Sequence, residues 1–440
     1  MQLSRRVFVS FFAAAVVFSL LPWVYGQEAS SSGSQWYKGN THAHSLWSDG
    51  RDFPEFAIKH YRDHGYNFFC LSEHNILADH EFWRDIETVN KRAYGEDAIA
   101  RYIKEFGKDW VELREVEGKQ QVRLRRMDEY APLYEEPGRF LLIRAEEITD
   151  KCEKLPVHLN AINLRELLPP THGETIAQTM QNNLAAVRAQ EKDTKQPVLV
   201  HINHPNYKFA LTAEEMADQP LGLFLEFQNA GTDEIPGDEL HCNDERNWDI
   251  TNTLRIVEKK LHPYYGTGSD DVHAWYGKEQ DESLRAWLMV RAPELSAAAL
   301  IRAMRAGDYY VSTGVTLRDV RYLPGEKRLE IEVTPEEGVE YTIDFVGTMA
   351  DCDLSSEAVV DTEGKPIHAT RRYSEEVGKV LKRVKGTRAA YELTGSELYV
   401  RARVTANKPA EFPTFKGQLR QAWTQPVGWE KRVERMQNFE

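Results

Sequence analysis

Cysteine is scarce: 4 occur in 440 residues, at Cys70, Cys152, Cys242 and Cys352. They are widely scattered and form no C-x-x-C pair, which excludes a disulfide scaffold and a zinc ribbon. Positive charge is also in short supply. The 55 Lys and Arg stand against 69 Asp and Glu, leaving a net charge of -14, which excludes nucleic-acid or anionic-membrane binding by bulk charge. There is no P-loop, no coiled coil and no internal repeat. Nor is there a G-x-S-x-G element, so a serine-hydrolase reading has no support. A phosphate-bearing substrate would need local positive charge, most economically from bound metal ions. Nothing in the sequence sets an oligomeric state.

Long apolar runs are missing apart from one at the amino terminus. Val7 to Leu21 follows Arg5 and Arg6 and ends at Pro22, and Val24-Tyr25-Gly26 offers a cleavage site before Gln27. Ser4-Arg5-Arg6-Val7-Phe8 also resembles a twin-arginine signal, with Ser10 where that pattern usually has Lys. Residues 1–26 are therefore read as an export signal. The protein is expected in the periplasm or outside the cell, with no stable membrane insertion after cleavage. An uncleaved anchor is the alternative, since the run is little short of a span.

What remains is a soluble composition, 41% apolar and 28% charged, long enough for two or three domains. Residues 27–36 are a polar linker. From 37 to 318, apolar strand patterns such as Asn67–Leu71, Phe140–Arg144, Val198–Val200 and Leu223–Phe227 alternate with helices or long loops. Ligand-type residues sit just past the strand ends, the arrangement a parallel α/β barrel uses for catalysis. Residues from about 78 to 140 read as a helical insertion, with EFWRDIETVNKRAY as its first helix and a possible hairpin near Gly118. From 319 to 440, short alternating runs separated by Pro-Gly, Glu-Gly and Thr-Gly turns predict a small, sandwich-like all-β domain.

The stretch the chain is organised around is KGNTHAHSLWSDG, Lys38 to Gly50. On an extended backbone residues i and i+2 share a face, so His42 and His44 can reach one cation together. Neutral imidazoles and carboxylates are ligands that Zn, Mn and Fe accept. Collected along the chain, the candidates are His42, His44, Asp49, His74, Glu147, His158, His204, Asp271 and His273. Glu146 rivals Glu147, and Asp270 rivals Asp271. His201 ends an apolar strand and is read as structural. Asn206, Glu226 and Asn229 are candidates for contact with substrate, Glu226 pointing toward the presumed mouth. Trp275 and Tyr276 either wall the pocket or pack.

The motifs HAHSLWSDG (42–50), SEHN (72–75), EEIT (146–149), HLNAINL (158–164), NHPN (203–206) and GSDDVH (268–273) together resemble the PHP family, named for polymerase and histidinol phosphatase. The closing AWTQPVGW (422–429) resembles an exported branch related to carbaryl hydrolase-like proteins. The resemblance implies a distorted (β/α)7 TIM-like barrel and two to three divalent ions (Mn, Fe or Zn). His42, His44, Glu147 and Asp271 would hold the first, with Glu147 bridging to a second held by His158 and His204. Asp49, His74 and His273 would hold the third. Glu147, Asp49 and His74 would be the catalytic residues, and Glu73, where the family usually has Asp, would orient a histidine. The implied activity is hydrolysis of a small phosphorylated substrate, a phosphomonoester or phosphodiester, by metal-activated hydroxide. A carbamate, amide or carboxylic ester hydrolase on the same site is the alternative. A non-catalytic cell-envelope binding module is a third reading, disfavoured by the full ligand set.

Overall fold

The apolar runs become strands buried on both faces, which is why they read as continuous hydrophobic stretches rather than alternating ones. The computed structural model describes residues 33–232, 234–274 and 283–433. The expected export signal, and Trp275 and Tyr276, lie outside the described residues. The protein is mixed α/β with many strands. It begins with β1 (Gln35–Asn40), α1 (Pro54–Asp63), β2 (Phe68–Phe69) and β3 (Ser72–His74). Pro54 opens α1, where its missing N–H would have had no partner in any case.

Residues 78–140 are a mixed unit rather than a helical one. They form β4 (Phe82–Asp85), α2 (Ile86–Arg92), α3 (Ala98–Phe106), a hairpin of β5 (Leu113–Val116) and β6 (Lys119–Leu124), and α4 (Met127–Tyr134). The segment expected to start the first helix is a strand because it pairs with β6 from Phe82↔Leu124 to Asp85↔Gln121. Val89, Ile99, Tyr102, Val122 and Leu124 of this unit bury against Leu46, Trp47 and Phe53. The insertion thus packs directly on the opening motif.

The chain continues through β7 (Leu141–Leu142), β8 (Ala145–Cys152), β9 (Leu155–Ile162), α5 (Ile176–Thr194), β10 (Leu199–Ile202), α6 (Ala213–Ala217), β11 (Phe224–Asn229), α7 (Asp244–Leu254) and β12 (Tyr265–Ser269). Six strands form one sheet in the order β12-β11-β10-β9-β8-β3. The expected parallel arrangement holds for β3–β8, β10–β11 and β11–β12 but fails at β9, which runs antiparallel to both neighbours. The reason is the connection. β8 and β9 are joined by a tight turn, with Glu153 in the left-handed region, and a hairpin can only be antiparallel. Glu147 and His158 consequently lie within strands, not past their ends. Ala43 bridges Val272 in parallel, and Ser72 N donates to Ala43 O at 2.9 Å. These links seat the residues after β1 between the end of β12 and the start of β3.

Beyond lie β13 (Trp287–Ala292), α8 (Ala297–Arg305), β14 (Tyr309–Ser312), β15 (Leu317–Leu323), β16 (Arg328–Val333), β17 (Tyr341–Met349), β18 (Ser356–Glu357), β19 (Arg372–Tyr373), β20 (Lys379–Lys385), β21 (Arg388–Glu392), β22 (Glu397–Pro409) and β23 (Leu419–Thr424). From β13 onward every strand pairing is antiparallel. A second core gathers Leu329, Ile331, Ile343, Phe345, Val400 and Val404. One nine-stranded sheet, β20-β17-β22-β23-β14-β13-β1-β2-β7, runs from this region into the first. Gln425 reinforces the junction by bonding both the N–H (2.7 Å) and the C=O (3.0 Å) of Gly266 on β12.

Candidate metal centre

The extended backbone after β1 turns His42 and His44 to one side, both fully buried, with ring centroids 5.2 Å apart. Pairing of β3 with β8 sets His74 opposite Glu147, and pairing of β8 with β9 sets Glu147 opposite Asn160 and Thr149 opposite His158. His204 follows β10 and Asp271 follows β12, both at positive φ (24° and 47°). Such backbone in non-glycine residues costs energy and collects at functional sites.

All nine candidate ligands meet in one connected cluster. Their ligating atoms fall into four groups, each within 4.8 Å: His44, Asp49, His74 and His273; His42, His44 and Glu147; Glu147, His158 and His204; His42, His204 and Asp271. The grouping differs from the expected one in two respects. Asp271 associates with His204 as well as His42, and His44 also reaches the Asp49 group. Glu147 is central. Its Oε2 lies 2.8 Å from His74 Nδ1, 3.3 Å from His44 Nε2 and 3.5 Å from His42 Nε2. Its Oε1 lies 3.0 Å from His158 Nδ1 and 3.4 Å from His204 Nε2.

These residues fit divalent cations. Glu147 Oε2, His42 Nε2 and His158 Nδ1 are buried and make no well-aligned hydrogen bond, facing only one another and the neighbouring imidazole and carboxylate groups, an arrangement that a cation among them would satisfy. Imidazole and carboxylate are the donors that first-row divalent ions take.

Burial by itself would raise the carboxyl of Glu147, yet His74, His42 and His158 hold it well below the usual range. Asp271 is likewise held down against burial by His42, His44 and His273, and Asp49 by His273 and His74. The imidazoles divide. Burial, with His273 and His74 adding, lowers His44 to about 4. Burial also opposes charge on His74, but Glu147 and Asp49 raise it to about 11. His42 is raised well above its ordinary value by Asp271, Glu226 and Glu147, again against burial.

The rival acids are placed elsewhere. Glu146 accepts from Leu168 N at 2.9 Å, and burial pushes its carboxyl up to about 8. Asp270 accepts from Tyr61 Oη (2.5 Å) and from the N–H groups of Leu284, Arg285 and Ala286 (2.8–2.9 Å), tying down backbone. The residues expected to touch substrate are spent on internal bonds. Glu226 does not point to a mouth. It is fully buried, bonds His42 Nδ1 at 3.1 and 3.2 Å, and accepts from Asn229, Ser269 and the His204 N–H. Asn229 donates to Glu226 and Asp271. Asn206 donates to the carbonyls of Glu234 and Cys242, holding a turn. Glu73 bonds no histidine. It gathers the N–H and hydroxyl groups of Ser45 and Ser48, and Ser48 Oγ in turn lies 3.4 Å from His44 Nδ1. His201 is buried with both ring nitrogens unbonded, and burial lowers it to about 4. None of His60, His64, His80, His172, His241, His262 and His368 joins a ligand group among the described residues.

Several contributors escaped the sequence reading. Asn203 donates to Glu147 Oε1 at 2.8 Å and to Asn160 Oδ1 at 2.9 Å. Thr149 Oγ1 sits 2.5 Å from His74 Nδ1, and Tyr207 sets its ring 5.2 Å from that of His204 and 6.3 Å from that of His158. The available signal was adjacency: Asn203, Thr149 and Asn160 lie inside the motifs that carry the ligands. Bonds that orient ligand groups are a regular part of metal sites.

No protein-family model matches the chain, and no curated protein matches it. Solved structures do resemble it at low identity. A two-domain protein from Bacteroides vulgatus, containing a predicted PHP-like metal-dependent phosphoesterase, is 14% identical, with 91% of this chain and 98% of that one covered and a TM-score of 0.38. PsfC from Pseudomonas syringae is 10% identical over 61% of this chain and 88% of its own, with a TM-score of 0.32. An amidohydrolase from Chromobacterium violaceum with bound sulfate and no metal is 10% identical over 55% and 89%, with a TM-score of 0.24.

Proposed function

We propose that the chain is an exported metal-dependent hydrolase of PHP type that cleaves phosphate esters. Its frame would be a (β/α)7-like barrel over about residues 37–318, with a β-rich unit from about 319. The observation that supports this best is Glu147, a buried carboxylate whose two oxygens face different sets of imidazoles, as a bridge between two cations requires. Divalent ions held there would supply Lewis acidity, activating water and offsetting charge on a phosphoryl group.

The side chains divide the work by exposure. His42, His44 and Glu147 are buried and would hold ions. Asp49, His74 and His273 keep 50%, 24% and 28% of their side-chain surface open, so substrate would approach from their side. Glu226 and Asn203 orient His42 and Glu147 through direct hydrogen bonds, fixing ligand direction before any ion arrives.

The test is metal analysis of purified protein together with assays on phosphomonoester, phosphodiester, carboxylic ester and carbamate chromogens. Two or three Mn, Fe or Zn ions per chain and turnover of a phosphate ester are expected. Fully metallated protein that cleaves only carboxylic esters or carbamates would transfer the site to that second reaction class. Protein that takes up no ion on titration would end both readings.

A further inference from the structure

Asp49 sits on Ser45–Gly50, a stretch of turns with no helix or strand, and it is the most exposed ligand candidate. A carboxylate on a bare loop would be free to swing away from His44, His74 and His273. This loop, however, is held from two directions. Glu73 takes its donors: the N–H groups of Ser45 (3.0 Å) and Ser48 (3.1 Å) and both hydroxyls. The insertion takes its acceptors. Arg84 Nε donates to Leu46 O at 2.8 Å, and its Nη2 donates to Trp47 O at 3.0 Å and Ser48 O at 2.8 Å. Arg92 Nη1 donates to Ser48 O and to Gly50 O at 3.4 Å. The buried Trp47 completes the attachment by donating Nε1 to Arg125 O at 3.1 Å. The carbonyls on either side of Asp49, those of Ser48 and Gly50, are therefore both pinned by guanidinium groups, whose fork geometry suits several acceptors at once.

We propose that Arg84 and Arg92 are positioning residues that set how tightly the outer group (His44, Asp49, His74 and His273) holds its cation, and that this is what residues 78–140 contribute to the site. The inference rests on the metal-centre reading above and deepens it. The two arginines touch no ligand atom. They act through the peptide groups that aim Asp49.

The experiment is equilibrium dialysis of full-length protein against a Mn²⁺ series, with metal content per chain as readout, on wild type, R84A, R84K, R92A and R114A. Arg114 belongs to the same insertion but stacks on Trp83 (4.1 Å) and bonds Gln121 (2.8 Å) away from the loop. R84A and R92A should each weaken one ion about 10- to 100-fold, the range for losing a group that orients a ligand, while the remaining ions bind as before. R84K keeps the charge but offers a single ammonium for three carbonyls and should restore that affinity only in part. R114A should match wild type. R92A carries the test if R84A is insoluble. The proposal is overturned if R84A and R92A bind every ion like wild type, if they lose all ions together, or if both fail to fold while R114A folds. Wild type that binds no ion would instead refute the metal-centre reading itself.

Discussion

The inner and outer sides of the cluster are built by different means. On the inner side, His42, Glu147, His158 and Asp271 lie in strands or directly at their ends and are held by side chains: Glu226 on His42, Asn203 on Glu147, Asn229 on Asp271. On the outer side, Asp49 rides a loop held through its own backbone by Glu73, Arg84 and Arg92. Strands fix a ligand to a fraction of an ångström, whereas loops can face a substrate and adjust. On the proposed hydrolase reading, the inner side would determine whether ions are present and the outer side how fast substrate is turned over.

The sharpest way to break this contrast is Glu147→Gln. It removes the carboxylate shared by two groups, so ion content should fall by more than one per chain and phosphate-ester turnover by about a thousandfold or more, at or beyond the loss expected for one electrostatic contact. Glu146→Gln should leave both unchanged, because Glu146 bonds only the Leu168 N–H. If Glu146→Gln empties the site and Glu147→Gln does not, the inner side is misread.

Asp49→Ala tests the outer side. Turnover should drop roughly 100-fold while the inner ions stay bound, as metal analysis before and after dialysis would report. Loss of all ions would make the two sides one. A smaller effect is expected from Glu226→Gln, which weakens the bond orienting His42 and should lower metal affinity about tenfold without altering substrate KM. A change in KM alone would return Glu226 to the substrate-binding role that its burial argues against.

That these nine candidate residues gather in one cluster was legible because ligand chemistry is local: a histidine or acid in a short motif declares itself. Register was not. Glu146 and Glu147 are neighbours on a strand and face opposite sides. Which one faces inward depends on pairing with His74 and Asn160, which no single stretch encodes. Asp270 and Asp271 differ for a similar reason, since the backbone that Asp270 binds lies 14 to 16 residues away. The antiparallel β9 was missed because a short strand pattern carries no direction. A position at a strand's end suggests that Glu226 faces the mouth, and its sequence neighbours say nothing against it. Its four partners, from His42 to Ser269, come together only in three dimensions, and a buried carboxylate needs such partners.

The change expected to disturb the metal centre least separates the insertion's anchoring from metal binding. Glu55 on α1 is fully buried beneath the insertion and accepts from Tyr102 Oη (2.5 Å) and Trp110 Nε1 (2.9 Å). In the centre, imidazoles hold buried carboxylates ionised. Here burial prevails over these two bonds and raises the carboxyl from 4.5 to about 7. Between those values the folded protein binds more protons at Glu55 than the unfolded chain, so this group's contribution to stability declines as pH rises through that window and is fully lost above it. Glu55→Gln keeps an acceptor for both donors and has no charge to bury. Its stability advantage over wild type should therefore be near zero at pH 4 and grow to roughly 3 kcal/mol above pH 8, because each tenfold difference in proton affinity between the folded and unfolded chain is worth roughly 1.4 kcal/mol. Ion content should not change. Urea unfolding of both proteins across that range measures the difference directly. A difference that stays flat with pH would mean that Glu55 is already ionised in its pocket, and that the insertion is anchored over a charge.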